Sequence, residues 1–176
     1  GIFNRRTIPD LIAAIPKGAL RVADSQVASR WGNILEFKGF DLITPNEREA
    51  RFAMADQDSG VRPLAARLHD EAQVKTVILK LGDRGVLTCR QGKQEDLRSF
   101  FVIDSFARRV VDAVGAGDAL LAYASLAMLV DGNEVVASIL GSMAAALECE
   151  VNGNIPIGRA DVMGRIDLVD KRARYE

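Results

Sequence analysis

Two aspartates bracket a pair of glycines in Asp112-Ala113-Val114-Gly115-Ala116-Gly117-Asp118. Gly115 and Gly117 permit a tight turn, and a run of helix formers opens at Asp118 and continues from Ala119 to Val130. A helix that starts after such a turn aims unpaired backbone N–H groups and a positive dipole end at one spot, which suits an anion and above all a phosphate. Carboxylates repel phosphate. Two of them beside the cradle make chemical sense when one handles a metal or its waters and the other takes a proton. An anion cradle, a metal and a base are the parts that phosphoryl transfer requires.

Other phosphate motifs fit poorly. A dinucleotide fingerprint needs a third glycine where this chain has Leu120, which also disfavours an oxidoreductase domain. Gly92-Lys93 lacks both the earlier glycine (position 87 is Leu) and the following Ser or Thr of a P-loop.

The elements that must position these residues alternate along the chain. Gly1-Ile2-Phe3 reads as a strand-to-helix loop, and Thr7-Ile8-Pro9-Asp10 as a helix start with Ile8, Leu11, Ile12 and Ile15 on one face. Leu20 to Ala23 is a short strand ending in Asp24-Ser25, followed by a loop with a helical turn around Trp31. Phe40 to Thr44 is the next strand, and Thr44-Pro45-Asn46-Glu47 reads as a capping box with Pro at the first helical position. A helix over Pro63 to Ala72 turns Leu64 and Leu68 inward and leaves His69 on the surface. Lys75 to Leu81 is an apolar strand suited to burial on both faces. Gly82 to Gly85 turns it back into Val86 to Cys89, and after a Gln91-Gly92-Lys93 turn Leu97 to Ile103 forms another strand. Val110 and Val111 read as the end of a short buried strand feeding the glycine turn. A helix over Glu134 to Glu148, a loop over Val151 to Pro156 and a closing helix over Arg159 to Ile166 complete the chain.

Asp112 to Asp118 resembles the Asp-Thr-x-Gly-Ala-Gly-Asp signature of the PfkB/ribokinase family of carbohydrate kinases, with Ala113 in place of Thr. Two more segments are similar to that family, in its order. Asn46 and Glu49 match an Asn-x-x-Glu pair, and Lys80-Leu81-Gly82-Asp83-Arg84-Gly85 matches a Lys-x-Gly-x-x-Gly turn. The resemblance implies an α/β layered ribokinase-like fold. Its central sheet is expected to be mostly parallel with helices on both faces, with the N-terminal portion and lid missing.

The resemblance also implies ATP-dependent transfer of a phosphoryl group to a sugar or sugar-phosphate hydroxyl. Asp118 is the implied base, and the amides of Gly115, Ala116 and Gly117 the cradle for the transferring group. Lys80, Gly82, Asp83 and Gly85 would lie beside the nucleotide, and Ser142 near its adenine. Asn46 and Glu49 would organise the waters of Mg2+, with Asp112 helping at the metal. A monovalent cation would bind a loop around Val151 and Gly153, but Ile157 stands where that loop carries a hydroxyl. Tyr123 stands where a small residue is frequent. The Asp-rich strand end and the Thr-Pro-Asn-Glu helix start are similar to the heptose-phosphate-kinase branch. A non-catalytic nucleotide-binding module derived from such a kinase is the alternative; a module that only binds has no need of Asp118.

The 176 residues are 48% apolar and 27% charged with a net charge of −1, an ordinary globular composition without a basic footprint for nucleic acid or an anionic membrane. One domain, residues 1–176, is expected. Cys89 and Cys149 lack a CxxC pattern and read as buried thiols of a cytoplasmic protein. The expected partners are ATP and a sugar or sugar phosphate, together with a second copy or a separate N-terminal half.

Overall fold

The computed structural model describes residues 3–24, 27–28, 31–32, 34–90, 95–153 and 155–175. The expected chain start at Gly1-Ile2, Ser25 and the Gln91-Gly92-Lys93 turn lie outside them. The chain divides into two compact units, Gly1–Asp104 and Ser105–Glu176.

In the first unit, helix α1 (Ile8–Ala14) precedes strand β1 (Val22–Ala23), an antiparallel ribbon of β2 (Val27–Ala28) and β3 (Trp31–Gly32), and strand β4 (Leu42–Ile43). Helices α2 (Glu47–Met54) and α3 (Val61–Ala72) follow, then β5 (Thr76–Lys80), β6 (Val86–Cys89) and β7 (Phe100–Ile103). The ribbon replaces the loop expected up to Trp31, because two-residue strands carry no readable periodicity, and the expected helical turn follows as a 3₁₀ turn over Ile34–Glu36.

The main sheet has the order β1-β4-β5-β6-β7. It is mixed where a mostly parallel one was expected. β1–β4 and β4–β5 are parallel, whereas β5–β6 and β6–β7 are antiparallel. The tight Gly82–Gly85 turn forces the change, since a parallel neighbour needs a long crossover. Val77, Ile78 and Leu79 are fully buried, as a strand covered on both faces should be. Leu64, Leu68 and Ala72 of α3 share one core with Val77, Leu79, Leu87, Ile8 and Ile43.

The second unit holds α4 (Ala116–Val130), α5 (Glu134–Cys149) and α6 (Arg159–Tyr175), the last extending nine residues beyond the expected Ile166. Small residues bring α4 and α5 together. Leu120, Ala124 and Ala127 are buried on one helix, and Ala137, Gly141 and Ala144 on the other. A Cβ on Gly141 would lie 2.9 Å from the Leu120 carbonyl oxygen, so that crossing accepts only glycine without a shift. Glu150 and Arg165 lock α6 down through an ion pair of 2.6 Å, and Arg165 also donates to the Phe106 carbonyl. Although burial pushes the Glu150 carboxyl up, the Arg165 hydrogen bond holds it below the usual carboxylate range. Among the described residues no helix is long and apolar enough to cross a membrane.

Candidate active site

The glycine turn differs from its expected form in two respects. Val110 and Val111 do not form a buried strand: they are 64% and 47% exposed. The Val111 and Asp112 N–H groups donate instead to the Cys149 carbonyl at the end of α5, at 2.7 and 3.2 Å, so no ladder forms there. The helix also begins earlier than Asp118. Gly115 is its N-cap, with φ 87°, and Ala116, Gly117 and Asp118 occupy the first turn. One glycine therefore makes the left-handed turn, while the other sits at a helical position.

Asp112 accepts the Val114 N–H at 3.0 Å and so shapes the approach to the turn. The Ala116 N–H donates to the Ala113 carbonyl at 3.3 Å. Helix geometry leaves the Gly117 and Asp118 amides without an intrahelical acceptor. Asp118 is exposed in that same turn. The Tyr123 hydroxyl donates to the Ile157 carbonyl at 3.0 Å, so the residue that departs from the family's small one ties α4 to the loop before α6. Ser142 is buried on α5, and its hydroxyl has no partner among the described residues. Burial, then the neighbouring Glu148, Glu150 and Asp112 carboxylates, pushes the Cys149 thiol up. Cys89 is buried as expected, while Cys149 is half-buried.

In the first unit the other expected residues converge at the C-terminal edge of the parallel strands, where α/β sheets bind ligands. The helix start is a capping box, but two residues later than expected. Asn46 is the N-cap and Glu49 its reciprocal partner, with both hydrogen bonds at 2.8 Å. Thr44 does not cap: it lies two residues before the N-cap, and its buried hydroxyl has no partner among the described residues.

The box fixes what these two side chains can still do. Asn46 uses its oxygen on the Glu49 N–H and retains its amide NH2, a donor that suits a phosphate oxygen. Glu49 uses Oε2 and retains Oε1, an acceptor that suits a metal-bound water. A water held by Mg2+ presents hydrogens, which the free Oε1 of Glu49 and the second lone pair of Asn46 Oδ1 can both accept.

Lys80 ends β5. Its N–H donates to the Pro45 carbonyl at 2.9 Å, and a bridge aligns it with Asn46. Its ammonium lies 2.7 Å from Asp24, just past the end of β1. Asp24 was readable as a strand-end residue, whereas its partner 56 positions away was not.

Gly82, Asp83 and Arg84 form a 3₁₀ turn closed by Gly85, with positive φ at Gly82 and Gly85. Glu47 pairs with Arg84 of that turn and with Arg51 on its own helix, linking two of the three motif segments. Arg51 first, and Arg84 with it, hold the Glu47 carboxyl below its usual range. A cleft of about 520 Å³ opens here, lined by Asn46, Arg48, Phe52, Gln57, Lys80 and Gly82 among others. Among the described residues no three acidic, His or Cys side chains gather to hold a metal directly. His69, half-buried, contacts Asp70 and the Lys75 carbonyl and takes no part.

A mixed five-stranded sheet followed by a glycine-capped helix with an exposed first-turn aspartate defines an α/β chain of the ribokinase-like class. Solved structures agree. Ribokinase from Thermotoga maritima superposes with a TM-score of 0.74 at 25% identity, over 92% of this chain and 52% of that one. Phosphofructokinase-2 from Escherichia coli, solved with potassium, has the same fold (TM-score 0.78, 18% identity, 96% of this chain and 53% of that one). The profile of the pfkB family carbohydrate kinase matches residues 7–157. Bifunctional protein HldE from Geobacter metallireducens is 30% identical over 162 residues, 89% of this chain and 32% of that protein. Ribokinase from Haemophilus influenzae is 32% identical over 117 residues, 64% of this chain and 36% of that protein. The chain belongs to the pfkB family of carbohydrate kinases. It spans about half the length of the solved relatives and about a third of the curated ones.

Proposed function

We propose that this chain carries the nucleotide-binding and base-bearing part of an ATP-dependent kinase that phosphorylates a hydroxyl of a sugar or sugar phosphate. The observation that carries the reading is Asp118, exposed in the first turn of a helix that Gly115 opens at φ 87°. A carboxylate and unpaired amides at one helix start can serve two halves of a reaction. The amides and the helix dipole stabilise charge on a transferring group, and the carboxylate takes the proton of the attacking hydroxyl.

Magnesium-bound ATP would supply the phosphoryl group and neutralise its charge. Asn46 and Glu49 would organise the waters of the metal, the free Oε1 of Glu49 and the second lone pair of Asn46 Oδ1 accepting from them, and Lys80 would add a positive charge. Asp112 would help at the metal, and Ser142 would face the adenine. Gly82 and Gly85 would let backbone approach the nucleotide, with Asp83 exposed between them. The resemblance of the Thr44-Pro45-Asn46-Glu47 helix start to the heptose-phosphate-kinase branch supports a sugar phosphate, of the heptose type, as acceptor.

The test is ADP formation by the full gene product with Mg-ATP and, in turn, a pentose, a hexose phosphate and a heptose phosphate. Acceptor-dependent ADP with a sugar phosphate is expected. ATP binding without turnover on any acceptor would instead establish a binding module.

A further inference from the structure

The ammonium of Lys80 is already paired. Asp24 follows β1 and Lys80 ends β5, while β4 lies between these strands. Two strand spacings separate their backbones by roughly 9.6 Å. The long lysine side chain crosses that span and meets Asp24 Oδ2 at 2.7 Å. Both side chains are largely covered, 18% and 21% exposed, so the contact is shielded from solvent more than a surface ion pair. The lysine backbone is pinned through the Pro45 carbonyl and the bridge to Asn46. The pair therefore spans the end of β4 beside the Asn46 cap, and its lysine lines the cleft.

We propose that Asp24 is a positioning residue that competes with nucleotide phosphate for the Lys80 ammonium. This rests on the kinase reading above. Asp24 directs one of the three ammonium donors across the sheet edge and leaves two for an incoming anion. Its negative charge opposes the phosphates that Lys80 attracts. Phosphate is thereby held less tightly than Lys80 alone would hold it, and the nucleotide product leaves faster.

The test is a double-mutant cycle on the full chain with Asp24→Asn, Lys80→Met and the double variant. Calorimetric binding of Mg-ATP, Mg-ADP and inorganic tripolyphosphate is measured with steady-state kinetics. Removing one like charge about 4–6 Å from a polyanion is expected to tighten binding by roughly tenfold. Asp24→Asn should therefore lower Kd for all three ligands and the KM for ATP about tenfold, and lower kcat through slower ADP release. In the Lys80→Met background only the direct repulsion between Asp24 and phosphate is left to relieve, so the same change should give a clearly smaller gain. A merely structural Asp24 would weaken binding and leave the Lys80 dependence absent. Asp24→Ser replaces Asp24→Asn if the latter does not fold. ATP binding with a neutral, weakening or Lys80-independent effect overturns the inference and leaves the kinase reading intact. Absence of ATP binding to the wild-type chain overturns both.

Discussion

Gly115 and Gly117 look alike in sequence, yet replacing each with alanine should have opposite consequences. Gly115 holds φ 87°, a conformation in which a Cβ meets the following carbonyl oxygen at a cost of about 1–2 kcal/mol. For a chain of this length each kcal/mol moves Tm by about 2–4 °C, so Gly115→Ala should melt roughly 2–8 °C below wild type. Gly117 is helical, and alanine is favoured over glycine in a helix by up to about 1 kcal/mol. Gly117→Ala should therefore melt at or slightly above the wild-type temperature. Its Cβ would stand in the amide cradle, so activity should fall while the fold holds. Thermal unfolding followed by circular dichroism, with ADP release measured on the same samples, separates the two. Equal Tm losses, or a stable Gly115→Ala, would refute the assignment of the left-handed turn to position 115 alone.

Gly141→Ala sets the same helix preference against a steric clash. The new Cβ would sit 2.9 Å from the Leu120 carbonyl, and overpacking costs about 1–3 kcal/mol against a helical gain of about 1 kcal/mol. Urea unfolding should show a net loss, and a gain would mean that α4 and α5 separate freely at that crossing. Stability should also fall in acid. Glu47 and Glu150 have carboxyl pKa values below the ordinary 4.5, so their contribution is complete above that pH and is lost as pH drops through the lowered folded values. Glu47→Gln should lower neutral-pH stability and flatten the loss below pH 4.5, which urea midpoints from pH 7 to pH 3 would register. An unchanged acid slope would exclude Glu47 as a contributor.

The readable parts of the sequence are those where one local rule decides the structure. The unbroken run Val77-Ile78-Leu79 had to be a doubly covered strand, and Gly82 to Gly85 had to reverse it. Other features depend on contacts that sequence order conceals. Thr44 and Asn46 are both good caps, and the role goes to Asn46 because the helix begins at Glu47, where only the Asn46 side chain reaches the Glu49 amide. Val110 and Val111 have strand propensity, but among the described residues their unit has helices and no strand to pair with, and the Cys149 carbonyl takes the Val111 N–H. Glycine tolerates helical and left-handed geometry alike, so composition could not say which of two glycines turns the chain. Which acceptor and donor positions the capping box leaves open on Asn46 and Glu49 became visible only with the hydrogen bonds in place.

Everything proposed about the chemistry depends on Asp118 as the proton acceptor, and the most direct measurement is Asp118→Asn with ATP affinity and acceptor-dependent ADP release read in parallel. A general base contributes about 10²–10⁴ in rate, so kcat should fall by that factor while the Kd for Mg-ATP stays within about twofold. Retained turnover, or affinity lost in step with turnover, would contradict the account.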